Sequence, residues 1–251
     1  MPAIAVKGEI ISAFVAGLSA IGEKKSTVIR LETVGNTLVG NFTSSNHASL
    51  SDATLILDGI DKDGMENMLV GVDLSDLQLI PKLVGKEDLV SIRFDQEEAK
   101  CHLSFGPSRR SFKLLSSTEI PPAFTVKPPL PAKWRLPKEI IKPLVDTLSL
   151  EGDPVLTITK NGDGDTSLRF STKDYGGLNT AEYLVTGEML KDYEGPAFRS
   201  MFDFGMFSSV KDLPTDSHIV FSCDEDYPIE MIGVKGPVTS RIMLAPRIES
   251  E

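Results

Sequence analysis

Apolar residues recur at helical spacing in two stretches 130 residues apart. Ile11, Phe14, Leu18 and Ile21 share one face of a helix predicted over 8–22, and Ile141, Leu144 and Leu148 share one face of a helix over 138–152. The stretches, GEIISAFVAGLSAIG and KEIIKPLVDTLSLEG, align without a gap. They agree at Glu9/Glu139, Ile10/Ile140, Ile11/Ile141, Val15/Val145, Leu18/Leu148, Ser19/Ser149 and Gly22/Gly152, seven of fifteen positions. Agreement of this density at one offset marks an internal duplication.

The segments after the two helices match as well. Segments 26–33 and 37–44 read as two strands around a Gly35-Asn36 turn, and 154–160 and 166–173 as two strands around Asn161–Asp165. A second helix is predicted over 75–84 and over 205–213. Later strands are expected at 88–94, 100–105 and 109–116, against 218–224, 227–234 and 239–245. Pro81 and Pro143 fall inside predicted helices, where a proline costs about 3 kcal/mol or more, so these helices should be short, bent or late in starting.

The period is too long for a solenoid, whose repeats run about 20–50 residues. The pattern predicts an α+β fold of two similar domains, each with two helices packed on antiparallel sheet. Residues 1–116 form the first and 133–251 the second. Residues 117–132 join them, with Pro121, Pro122, Pro128, Pro129 and Pro131. So proline-rich a stretch cannot enter a central sheet and reads as an extended connector.

Composition narrows the chemistry. The chain has 251 residues and two cysteines, Cys101 and Cys223, in no C-x-x-C pair, which excludes a disulfide scaffold and a Cys-rich zinc module. His47, His102 and His218 are far apart in sequence and propose no metal site. No apolar run approaches the roughly 18 residues of a membrane span, and Met1–Glu9 has no apolar core of a signal peptide. Lys and Arg number 26 and Asp and Glu 36, a net charge of −10. An average surface this acidic repels nucleic acid, so a DNA-binding role needs basic groups gathered on one face. Lys82, Lys138, Lys142 and Lys211 lie in or beside three of the four helices, and Lys24 and Lys25 end the first. Taken alone, solvated helix faces account for them better, since charge runs usually face solvent.

No P-loop, G-x-G-x-x-G, G-x-S-x-G or H-E-x-x-H is present. Asn161-Gly-Asp-Gly-Asp165 lacks the sixth-position glycine and twelfth-position glutamate of a calcium loop and reads as a hairpin turn. The cysteines fall in alternating strand patterns as small buried hydrophobes. Asp224-Glu225-Asp226 reads as a solvated turn. Nothing assembles an active site, and the chain reads as a non-enzyme with no cofactor and no metal.

Several segments resemble one family, the DNA sliding clamps of the proliferating cell nuclear antigen (PCNA) type. Ser45-Asn46-His47-Ala48-Ser49-Leu50 resembles that family's S-x-H-x-S-L strand. Gly71-Val72-Asp73-Leu74 and Gly85-Lys86-Glu87-Asp88 resemble its G-V-N-L and G-x-E-D segments, and Leu244-Ala245-Pro246-Arg247-Ile248-Glu249 its L-A-P-K-I-E ending. Lys173–Leu178 looks more like archaeal members. The resemblance covers essentially the whole chain. It implies a closed three-subunit ring around duplex DNA, acting as a polymerase processivity factor without catalysis. The partners it implies are a clamp loader and, through short peptide motifs, DNA polymerase, flap nuclease and ligase. Its location would be the cytoplasm, with the nucleoid, if archaeal, and the nucleus if eukaryotic.

The same resemblance assigns residues. Lys82, Lys138, Lys142 and Lys211 would face DNA. His47, Leu50, Ile120, Tyr227, Pro228, Ala245 and Pro246 would line a groove for partner peptides. Arg109, Arg110 and Phe112 would meet Leu178 and Tyr183 of a neighbouring subunit, strand edge to strand edge. The first helix departs from the family in carrying no lysine over 11–18, which admits a heterotrimer. Other readings are a clamp-like subunit of a checkpoint-type or viral processivity complex, or an enzyme whose site the motifs do not show.

Overall fold

The structure is a computed structural model, and it describes residues 1–21, 28–44, 48–115, 117–122, 127–162 and 167–248. It divides into two compact units. The first comprises Met1–Ser44, Ser51–Thr125 and Val234–Ser240; the second comprises Ser45–Leu50, Val126–Gly233 and Arg241–Glu251.

The first unit begins with β1 (Ala3–Lys7), α1 (Gly8–Ser19), β2 (Val28–Val34), β3 (Thr37–Thr43) and β4 (Ser49–Ile56). It continues through β5 (Asp61–Asp63), β6 (Leu69–Asp73), α2 (Leu74–Leu77), α3 (Ile80–Leu83), β7 (Leu89–Asp95), β8 (Lys100–Phe105) and β9 (Ser108–Leu115). Its strands lie in the order β4-β3-β2-β6-β9-β8-β7-β1-β5. Where register is defined, each neighbour is antiparallel. Helix α1 turns Ile11, Phe14, Val15 and Leu18 into the core and packs beside α3.

The second unit repeats this sequence of elements. It runs β10 (Ala132–Pro137), α4 (Lys138–Leu148), β11 (Val155–Lys160), β12 (Leu168–Lys173), β13 (Thr180–Val185), β14 (Lys191–Glu194) and β15 (Phe198–Asp203). It ends with α5 (Phe204–Phe207), a 3-10 turn over Ser208–Asp212, β16 (His218–Cys223), β17 (Ile229–Lys235) and β18 (Val238–Leu244). One sheet runs β14-β10-β16-β17-β18 and the other β13-β12-β11-β15. The buried Trp134 stacks on Phe221, Phe198 and Tyr193 at centroid distances of 5.4, 5.6 and 6.4 Å. Helix α4 buries Ile141, Leu144, Val145 and Leu148 and packs beside the 3-10 turn.

The duplication reaches local chemistry. Asp73 caps α2 by accepting from the Ser75 N–H at 2.8 Å, and Asp203, 130 residues on, caps α5 by accepting from the Met206 N–H at 2.9 Å. An N-cap carboxylate satisfies a donor that the helix itself leaves free.

Both second helices differ from expectation. The stretch predicted as one helix over 75–84 is two single turns, α2 and α3, and Pro81 lies in the first turn of α3, where a missing N–H costs nothing. The helix expected over 205–213 is one turn of α5 continued as 3-10. Pro143 is tolerated inside α4, on its exposed face. No helix among the described residues is long and apolar enough to cross a membrane.

Candidate functional site

The helix layers carry the four singled-out lysines, all with exposed side chains. Lys82 ends the α3 turn, and Lys138 and Lys142 lie on α4 beside the 3-10 turn that carries Lys211. Two are already engaged. Lys142 pairs with Asp146 one turn on at 2.6 Å, and Lys138 Nζ donates to the Thr215 carbonyl at 3.2 Å. Helix α1 has Glu9 and no basic residue. Counting the helical segments together, Lys82, Lys138, Lys142 and Lys211 are outnumbered by Glu9, Asp76, Glu139, Asp146 and Asp212. Among the described residues this layer is nearly neutral.

The residues assigned to the partner groove are only partly brought together. His47 lies outside the described residues, as do Ser45, Asn46, Lys24 and Lys25. In the second unit the Ala245 N–H donates to the Ala48 carbonyl at 2.8 Å, so the terminal segment runs beside the start of β4. Leu50 is buried there, Pro246 is half-buried, and Tyr227 and Ala245 are exposed. Tyr227 and Pro228 form the turn before β17, whose Tyr227 N–H reaches the Asp224 carbonyl. Arg247 anchors the segment. Its N–H donates to the Met201 carbonyl at 2.7 Å, and its guanidinium pairs with Asp203 at 2.9 Å.

Ile120 belongs to the first unit. It rests over Gly71 of β6, where an added Cβ would stand 2.9 Å from Ile120 Cγ1 and 3.1 Å from Leu115 Cβ. Glycine is therefore what lets the connector lie down on β6. In the sequence Gly71 stands out only as part of a motif, and the contact becomes visible once β6 and the connector are folded together.

Edges form the third surface. Strand β9 pairs with β8 along its length but with β6 only at Leu114 and Leu115, so its outer edge is open from Ser108 to Lys113. Strand β13 pairs with β12 alone and ends its sheet. Arg109 and Arg110 are exposed, Tyr183 is half-buried and Leu178 is almost fully exposed. Phe112, at 7% exposure, faces the core, because alternation along β9 turns it inward while Ser111 and Lys113 face out. Leu178 sits in the β12–β13 hairpin that Asp174 organises. Asp174 accepts from the Leu178 N–H at 2.9 Å, the Asn179 N–H at 3.2 Å and Asn179 Nδ2 at 2.7 Å. Desolvation pushes its carboxyl up, but these bonds together outweigh that and hold it below the ordinary range.

The cysteine expectation agrees with the geometry. Both thiols are buried, and burial pushes each up to about 12, so neither is a thiolate near neutrality. Asp95, Glu98 and His102 bring ligand atoms within 4.8 Å of one another. Each already has a partner: the Glu98 N–H for Asp95, Lys100 for Glu98 and Ser111 for His102. The Asn161–Asp165 turn lies largely outside the described residues.

Among the described residues each repeat carries nine strands, with short helices on antiparallel sheet. Among solved structures the chain is similar to A. fulgidus PCNA bound to the C-terminal region of FEN-1, with 19% identity, TM-score 0.81 and all of each chain covered. It is similar to PCNA from Entamoeba histolytica, with 15% identity, TM-score 0.82 and 98% of each chain covered. Among curated proteins it is similar to a DNA polymerase sliding clamp of the archaeon Methanocorpusculum labreanum, 25% identical over 200 residues that span 72% of this chain and 74% of the relative. The chain matches no protein-family model. These comparisons bear out the resemblance read from the sequence and the α+β fold of two similar halves.

Proposed function

We propose that the chain is a subunit of a DNA sliding clamp, a non-catalytic ring that encircles duplex DNA and tethers replication and repair enzymes. The observation that carries this reading is the full-length match to PCNA structures by a chain whose two units repeat one element order.

The open edges support ring closure. By the duplication, β9 corresponds to β18 and β4 to β13. Within the first unit the Ile56 N–H, at the end of β4, donates to the Pro237 carbonyl beside β18 at 3.0 Å. The Ala245–Ala48 bond of the second unit joins the other ends of the same two strands. Strand β13 of one copy meeting β9 of the next repeats this pairing between chains, and open edges invite it. A heterologous contact of this kind closes into a ring when its rotation closes. Arg109, Arg110, Leu178 and Tyr183 flank that seam, and Phe112 supports it from the core side.

Lys82, Lys138, Lys142 and Lys211 are the DNA-facing groups of this reading, and the contact is topological more than adhesive. Leu50, Tyr227, Pro228, Ala245 and Pro246, with His47, are the partner groove of this reading, suited to a short helix with aliphatic and aromatic anchors. A flap nuclease is the first partner to test, since the A. fulgidus structure holds FEN-1. The near-neutral helix layer favours a second form of the same reading, in which this chain joins more basic homologous subunits in a heterotrimer.

The test is mass in solution by light scattering, followed by polymerase extension on a primed circle and on an end-open template. A trimer of 27.3 kDa chains, alone or with homologous subunits, and stimulation only where the topology retains a ring, are expected. A monomer that joins no homologue and stimulates neither template overturns the proposal.

A further inference from the structure

Strands β7, β8 and β9 are in register, and their solvent face carries a grid of polar side chains. Arg93, His102 and Ser111 stand directly opposite one another, and the next rung on the same face is Ser91, Ser104 and Arg109. Residues two apart on a strand share a face, and opposed residues on neighbouring strands lie about 4.5–5.5 Å apart. The intervening residues, Ile92, Phe94, Cys101, Leu103 and Phe112, are buried on the opposite face. Six side chains therefore converge over an area the size of a small ligand.

They line a cavity of ≈ 340 Å³ that Arg110 and Leu103 complete. The neighbouring strand β1 presents Ala3 opposite Arg93 and Ala5 opposite Ser91, so no bulk closes that side. Among the described residues neither Arg93 nor Arg109 has an ion-pair partner. Asp95 and Glu98, the carboxylates beside His102, lie outside the cavity, and Lys100 and Lys113 stand opposite Asp95 on its rung. In a chain of net charge −10 this is a concentration of unneutralised positive charge with hydroxyl donors between the guanidinium groups.

We propose that this grid is a phosphate-binding site. Two guanidinium groups set diagonally, each with a fork of donors, match the oxygens of a phosphate monoester, and Ser91, Ser104 and Ser111 complete the shell. His102 is held by Ser111 Oγ at its Nδ1. The face belongs to the sheet, away from the helices, so it is separate from the DNA contacts of the clamp reading and does not depend on them. The phosphate comes either as free orthophosphate or as the 5′-phosphate of a nucleic-acid end.

The test titrates the ¹⁵N-labelled full chain with sodium phosphate, with a short 5′-phosphorylated oligothymidylate, with the same oligonucleotide lacking the phosphate, and with sodium chloride at matched ionic strength. Saturable amide shifts confined to 91–93, 102–104 and 109–111, produced by the two phosphate probes only, are expected. Orthophosphate binding as tightly as the oligonucleotide identifies the free anion, and tighter oligonucleotide binding identifies the strand end. The Ser91→Ala/Arg93→Gln variant, whose residues lie on β7 away from the seam, keeps its mass in solution and weakens the response about tenfold or more. Shifts that chloride reproduces, or that survive in the double variant, overturn the site. So do phosphate probes that shift nothing.

Discussion

Replacing Gly71 by alanine tests whether the connector is seated on β6. The new Cβ would stand 2.9 Å from Ile120 Cγ1 and 3.1 Å from Leu115 Cβ, where ordinary carbon contacts begin near about 3.5 Å. Ile120 must therefore shift by about half an ångström, and Leu115, whose Cβ is fixed by its strand, by less. Overpacking of this kind costs about 1–3 kcal/mol. Against it stands a gain of about 0.4–1 kcal/mol from the stiffer unfolded chain, because Gly71 does not use the left-handed region that alanine avoids. The net expectation is a loss of about 1–2 kcal/mol, read as a lower urea midpoint at unchanged slope. Faster amide exchange over 117–120 and weaker binding of a Q-x-x-h-x-x-a-a peptide (h aliphatic, a aromatic) should accompany it. In an Ile120→Ala background the same change should cost less than about 0.5 kcal/mol, since the side chain that must move is gone. A stabilised Gly71→Ala protein, or an equal penalty in both backgrounds, refutes the seating.

Lys82→Ala/Lys211→Ala should reduce polymerase stimulation on a primed circle more than Lys138→Ala/Lys142→Ala, because the second pair is already held by Thr215 and Asp146; the ratio of the two losses is the readout. Asp174→Ala should loosen the 175–185 hairpin in hydrogen exchange and weaken assembly. Its contribution is present above the ordinary carboxylate range and fades as pH falls through the lowered folded value, so mass measured down an acid series should show it. Cys101 and Cys223 should resist a thiol reagent at pH 8 until denaturant is added. Their raised folded values make stability constant below an ordinary value of 9.0 and declining from there toward 12, by at most about 1.4 kcal/mol per pH unit per thiol. A Cys101→Ala/Cys223→Ala chain should lose that alkaline slope in urea titrations.

The helix faces are legible in the sequence because 3.6-residue periodicity survives in both copies, and so are strands such as β8, where polar and apolar residues alternate strictly. Strand β13 is legible only through resemblance: TAEYLV keeps one buried residue, Val185, because it ends its sheet. Strand β14, KDYE, carries no strand pattern at all and is held by pairing with β10. Asp73 and Asp203 stand at the same offset as the helices, and their capping role is open to reading from the duplication alone. Resemblance puts Phe112 at the subunit edge because it names a strand, whereas the inward turn of the side chain follows from parity along β9. The Arg93–Arg109 grid is invisible in the sequence because it draws on three strands, and only their register brings 91, 104 and 109 onto one rung.

Asp203 holds two obligations with its two oxygens. One accepts from Met206 to cap α5, and the other pairs with Arg247 at the terminal segment. A ligand that draws Arg247 toward itself leaves the cap with a freer carboxylate, and the turn after α5 carries Lys211. Any coupling that Asp203 carries between the two surfaces of this unit is reciprocal. Any factor by which a peptide at the terminus changes the hold on a phosphate near Lys211 must return unchanged as the factor by which that phosphate alters the peptide's affinity.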